Sequence, residues 1–276
     1  MIATREITFI SAAALLTIAG IILPLRIFSR QAMINHLLFH IGFSSVTLAE
    51  VAILENYNIF TNQFLNFNIL GFKWLNSLFC ILILDLLSYG WHRLNHTSKF
   101  LWKLHKFHHQ TKVMDPLAAY RFHPIEVFLG YQIRTGVIWF LGFGLTEISL
   151  FVLIYGLLNL FQHSNLRLPS SVDTILCNVF VTPSLHHTHH LKDQSSQKSN
   201  YSTIFIFWDH LFKSYSAPGL IRENDIGLDW STKWRQWTIL LDFACRQGRS
   251  SQSNGFVFCD DLCLLLFRGL EESRFS

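Results

Sequence analysis

WHRLNHTSKFLWKLHKFHHQTKVMDPLAAYRFHPIE, residues 91–126, is the stretch on which the reading of this chain turns, and HHTHH at residues 186–190 answers it. Ten of the 14 histidines fall in these two segments. His92 and His96 are four residues apart, and His105 stands three from His108 and four from His109. His186, His189 and His190 repeat the same three-and-four spacing. On a helix these separations put each set on one face with neighbouring side chains about 5–6 Å apart, near enough to share a metal ion. One such match would say little; three in one chain are not explained by a polar surface with chance clustering.

Neutral imidazole suits iron, zinc, copper and nickel, whereas magnesium and calcium take oxygen ligands. Eight histidines in three sets exceed the four positions of one tetrahedral site. Two metal ions are therefore expected, about 3.5–4 Å apart as in other dinuclear centres. His123, in RFHPIE, and His163 are further candidates, either as ligands or as outer partners, and Arg121 and Glu126 could hydrogen-bond to ligands. His187 breaks the spacing and faces away on a helix, and His210, in WDHLF, reads as structural.

Working outward, 276 residues suit one large domain or two small ones. Only 14% of residues are charged, 50% are hydrophobic and Phe numbers 26, with a mean hydropathy of +0.30. That is too apolar for an ordinary soluble domain and points to an integral membrane protein. The net charge of +4 gathers around the histidine clusters, which suggests a cytoplasmic membrane face and argues against nucleic acid as a partner. Five cysteines, odd in number and without zinc-ribbon pairing, make a disulfide framework unexpected. Cys259 and Cys263 amount to half a metal site at most.

The expected fold is all-α, with four to five membrane spans or hairpins carrying a cytoplasmic, histidine-rich, helical metal-binding cap. Residues 7–25 are an uncharged apolar run, read as a retained span because a basic leader and a cleavage site are lacking. A second run, 33–54, contains His36 and His40, read as a polar stripe on a packed helix. A third span over 74–89 delivers the chain into HRLNH. Residues 91–124 are too polar to cross, and Arg93, Lys99, Lys103, Lys106, Lys112 and Arg121 mark the cytoplasmic side. Arg26 and Arg30 fall on the same side, which leaves the N-terminus outside. From 127 to 162 there is room for two spans joined by a tight turn at GFGLTE, or for a hairpin, and either returns His163 to the face of the other clusters. This divides the chain into N-terminal membrane helices and loop (1–73), a histidine-box domain (74–245) that includes a possible amphipathic helix at 228–244, and a tail of no assigned role (246–276).

These residues resemble the fatty acid hydroxylase and sterol desaturase superfamily. HRLNH, HKFHH and the spaced His186, His189 and His190 are similar to its three histidine boxes. Asp85 and Tyr89 before the first box, LWKLHKFHH, RFHPIE, FQHSNLRLP, Asn200-Tyr201 and Trp208-Asp209 extend the likeness over roughly residues 80–215. The resemblance implies a non-haem diiron centre that uses O2 to remove hydrogen from an unactivated C–H bond of a lipid drawn from the bilayer. Returning oxygen gives an alcohol, and removing a second hydrogen gives an alkene; the first outcome is the expectation. Electrons would come from a donor such as cytochrome b5 or ferredoxin with its reductase, because the chain has no haem or flavin motif. The setting would be the endoplasmic reticulum or a bacterial inner membrane. The chain departs from the family pattern at Gln110, where Ser is common, at Ser202, where NYG has Gly, and in WDHLFKSY, where the family reads WDRLFGTY. The alternatives of another class are a membrane metal-handling protein and an inactive scaffold. Main clusters outside the spans argue against a transporter, and complete boxes against a scaffold.

Overall fold

The computed structural model describes residues 64–65, 71–112, 114, 116–218 and 225–228. These residues belong to one compact unit that ends at Asp229. The predicted spans at 7–25 and 33–54, Arg26, Arg30, His36, His40, nearly all of 228–244, Cys259, Cys263 and the tail lie outside the described residues. Among the described residues the chain is helical, with two isolated bridges and no strand.

Helix α1, Lys73–Thr97, is about 37 Å long and runs through the predicted third span without a break into the first box. It stops at Ser98, whose backbone turns extended. Ser98 Oγ then accepts the Leu101 N–H at 3.4 Å, so the residue that ends α1 also caps α2, Lys99–His109. A single-residue corner therefore folds the second box back against the first. After a 3₁₀ turn at Pro116–Tyr120, helix α3 spans Pro124–Leu141. Pro124 takes the first helical position, where its missing N–H costs nothing.

Helix α3 ends at Gly142, which lies in the left-handed region at φ 75° and donates its N–H to Ile138 O at 2.9 Å. Helix α4, Leu145–His163, starts three residues later, so the predicted GFGLTE interruption is a tight corner between the two helices. Phe143 at this corner is buried with Cys80, Ile81, Leu84, Ile138, Phe151 and Ile204. By length and composition, α1 and α4 could each cross a membrane. Phe128, Ile133, Trp139 and Phe140 of α3 are exposed, as befits a side facing lipid.

Four short helices follow: α5 Ser170–Leu176, α6 Pro183–His189, α7 Gln194–Gln197 and α8 Phe207–Leu211. Two carboxylates fix the loop between α7 and α8. Asp85 of α1 accepts the Ile204 and Phe205 N–H groups at 3.0 and 3.1 Å and the Trp208 indole at 2.8 Å. Asp209 accepts the Tyr201 and Ser202 N–H groups at 2.8 and 2.9 Å and the Ser214 hydroxyl at 2.7 Å. Charge-assisted bonds of this kind are about twice as strong as neutral ones, and together they set where the carbonyls of 199–201 point. Residues 225–228 close the other side. The Gly227 N–H donates to His190 O at 3.2 Å and the Leu228 N–H to His109 O at 2.8 Å, so one segment covers the C-terminal ends of both α2 and α6. A Cβ at Gly227 would stand 2.4 Å from Thr111 O, and its φ of +79° also requires Gly.

The departure WDHLFKSY has a local cost. Ser214 N–H reaches Asp209 O at 2.8 Å and Lys213 N–H reaches His210 O at 3.3 Å, the paired bonds of a Schellman end to α8. The residue that donates the inner of these bonds must be left-handed, and here it is Lys213, at φ 57°. An L-residue there costs about 1–2 kcal/mol, part of which Gly gives back through its freer unfolded chain. Replacing Lys213 by Gly is expected to stabilise the detergent-solubilised protein by about 0.5–1 kcal/mol. Thermal unfolding checks this, and the transition should move up.

Candidate metal centre

Nine of the ten candidate histidines converge into two groups: His92, His96, His105, His109 and His189 form one, and His108, His163, His186 and His190 the other. Within each group the candidate ligand nitrogens all lie within 4.8 Å of one another. The boxes are not one site each. Consecutive residues on a helix are turned about 100° apart, so the adjacent pairs His108-His109 and His189-His190 straddle the two groups. His105 and His109 of α2 face the first group while His108 faces the second, and α6 sends His186 and His190 to the second while His189 joins the first. His163, the last residue of α4, completes the second group.

The outer bonds fix several rings. His92 Nδ1 faces Tyr201 O at 2.8 Å, His189 Nδ1 faces Ser199 O at 2.6 Å, and His163 Nδ1 faces Asn159 O at 2.8 Å. A carbonyl only accepts, so each of these Nδ1 atoms carries the proton and each Nε2 presents a lone pair. His105 Nδ1 meets the Glu126 carboxylate at 2.7 Å, and Asn95 Nδ2 donates to the same oxygen at 2.9 Å. The buried Nε2 atoms of His92, His105 and His189 have no partner. A buried acceptor left so costs on the order of 1–3 kcal/mol, and here three of them aim into one space. In the second group, Nε2 of His163 lies 3.2 Å from that of His108 and 2.9 Å from that of His186, which is 3.1 Å from that of His190. Adjacent ligands about 2.1 Å from one ion stand about 3.0 Å apart at right angles and about 3.4 Å apart in a tetrahedron. The observed separations are short enough for several of these nitrogens to reach one ion, so the donor set fits metal ions.

Burial, with repulsion from neighbouring histidines behind it, holds His105, His108, His109, His186, His189 and His190 well below the ordinary histidine range. They are neutral at physiological pH, as ligation requires. Phe122 stacks on His108 with ring centroids 4.5 Å apart and lies 6.0 Å from His105, forming an apolar wall. Beyond it a cavity of about 120 Å³ opens between α1, α3 and α4, reaching His92 and His105 of one group and His108, His163 and His186 of the other.

His123 stands outside both groups. Its Nδ1 accepts the Ile125 N–H at 3.2 Å, which makes it the N-cap of α3. His187 also lies outside them, and His210 stacks on Tyr215 at 4.1 Å. Arg121 donates to Thr111 Oγ1 at 3.0 Å. The positioning groups that sequence reasoning missed are Asn95 and the carbonyls of Asn159, Ser199 and Tyr201. Backbone carbonyls leave no mark on residue identity.

The fatty acid hydroxylase family model matches residues 77–214, which is half of the chain. Among curated proteins, the ornithine lipid hydroxylase of Rhizobium tropici is 27% identical over 137 residues, covering 50% of this chain and 40% of that protein. The alkylglycerol monooxygenase of Caenorhabditis elegans is 31% identical over 190 residues, covering 64% and 36%. The sphingolipid C4-hydroxylase of Schizosaccharomyces pombe is 28% identical over 143 residues, covering 51% and 47%. The matches thus span less than half the length of each of these relatives. No solved structure matches at a significant level.

Glu126 holds the His105 tautomer and also accepts from Asn95 Nδ2. Partners of this kind are typically worth 10–100-fold in metal affinity. Glu126→Ala is expected to lower metal affinity by about that factor, measured as metal retained per chain across a chelator series.

Proposed function

The chain belongs to the fatty acid hydroxylase family, and from that premise we propose that it is a membrane-bound, non-haem diiron oxygenase that hydroxylates a C–H bond of a lipid, using O2 and electrons from a separate donor. The observation that carries this reading is the pair of adjacent all-histidine groups at the end of a cavity between apolar helices. The five-histidine group would hold one iron and the four-histidine group the other. Imidazole also suits zinc, but five donors in one group favour a metal that accepts more than four ligands. Two bound irons would supply O2 activation and an oxidant strong enough for an unactivated C–H bond, which side chains alone cannot provide.

The protein's own part is placement. Tyr201 O, Ser199 O, Asn159 O and Glu126 hold four rings in one tautomer and one orientation. Burial keeps the imidazoles neutral and water away from the reacting carbon. The Phe122 wall and the cavity between α1, α3 and α4 receive the lipid chain, so that the substrate reaches the site without leaving the bilayer. The basic residues of 91–124 support a cytoplasmic placement of the histidine groups, where a soluble or membrane-anchored donor such as cytochrome b5 or ferredoxin with its reductase would dock. The named relatives are hydroxylases and monooxygenases, which favours hydroxylation over desaturation here.

Lipid extracts from cells expressing the protein are expected to contain a species one oxygen heavier than its parent. His108→Ala and His189→Ala, one from each group, should each cut its formation by at least about a hundredfold while the protein stays in the membrane fraction. Turnover retained in both variants would contradict the assignment.

A further inference from the structure

Helix α3 turns Glu126, Gly130 and Arg134, each four residues from the next, to the cavity. Phe128, Ile133, Trp139 and Phe140 of the same helix are exposed, so Arg134 is on the protein side of a helix whose one other charge, Glu126, lies in its first turn. Glu126 marks the metal end through its bond to His105. Arg134 lies eight residues further on, about 12 Å along the helix axis. Its guanidinium is surrounded by rings, 5.7 Å from the centroid of Tyr131, 5.8 Å from Phe151 and 5.4 Å from Tyr155. These distances are at the outer reach of a cation–π contact. Among the described residues no carboxylate forms an ion pair with it.

A guanidinium stays charged at any physiological pH, and holding one in an apolar helix without a counter-ion is costly. The rings brace the group, and the Tyr155 hydroxyl accepts a hydrogen bond from it, but none of them neutralises it. Its planar fork of donors matches the two oxygens of a carboxylate or phosphate. We propose that Arg134 receives the anionic end of the lipid substrate, a carboxylate or phosphate, and that the carbon to be oxidised lies at the histidine end of the same cavity. This rests on the reading of the cavity as the lipid site. The charge that α3 carries at a cost is cancelled when substrate arrives, so anionic lipids are selected over neutral ones of the same chain length.

The test uses the full chain, loaded with iron, in phosphatidylcholine nanodiscs, and measures binding of palmitate, hexadecyl phosphate and methyl palmitate. The wild type is expected to bind at least one of the two anions about tenfold or more tightly than the ester; which anion it prefers identifies the source of the charge. Arg134→Gln should bring the anions down to the ester's affinity and leave the ester unchanged, and Arg134→Lys should keep part of the preference. Equal binding of anions and ester by the wild type, a preference that survives in Arg134→Gln, or a uniform loss for all three ligands in that variant would each overturn the proposal, the last by showing a packing role. Turnover on the same samples separates the two readings. Oxidation of lipid without an anion preference sinks this inference alone, whereas no oxidation of any lipid with O2 and reductant sinks the proposed function.

Discussion

Neutral imidazoles do not attract one another, and a buried nitrogen lone pair without a donor is a liability. This protein nevertheless drives nine histidines from four helices into two adjacent groups, with several lone pairs about 3 Å apart and aimed at common points. A metal ion in each group would satisfy such an arrangement, and the rest of the described fold holds the rings in place for it. The energy of metal binding would then be folding energy, in the sense that the ligand shell is complete only when the helices that carry it are docked.

The supporting structure works in layers. Asp85 and Asp209 fix the backbone between α7 and α8, and that backbone in turn offers the carbonyls that orient His92 and His189. Ser98 makes the corner that folds α2 onto α1, and residues 225–228 cover the ends of α2 and α6 where the paired histidines sit. None of these groups touches the chemistry. Each removes a freedom that would let a ring turn away.

The helical spacing of the boxes is legible because periodicity is local, and so is the αα corner after α3, where Gly142 supplies the left-handed residue that the turn needs. Which histidine faces which group depends on how α2 and α6 are turned relative to α1 and α4, a tertiary fact that spacing within one helix does not hold. The same separation explains His123. Its neighbours Pro124 and Glu126 mark a helix start as much as a site, and the ring spends its Nδ1 on the cap. Arg134 does not stand out in the sequence because a lone cation in an apolar run becomes informative only when the cavity beside it is visible. Lys213 shows the reverse: the departure from the family pattern is plain in the sequence, but its left-handed backbone and strain appear only with the structure.

In the proposed function the histidine groups stand at the end of a cavity between apolar helices, an arrangement that would keep a lipid's chain in apolar surroundings while its reacting bond meets a water-poor site. The most direct test is to load the purified protein anaerobically with ferrous iron, count the metal and record its X-ray absorption spectrum. Two irons per chain in an imidazole-rich, sulfur-free shell are predicted. One iron or none, or a shell containing sulfur, would contradict the claim that the two histidine groups are a dinuclear centre.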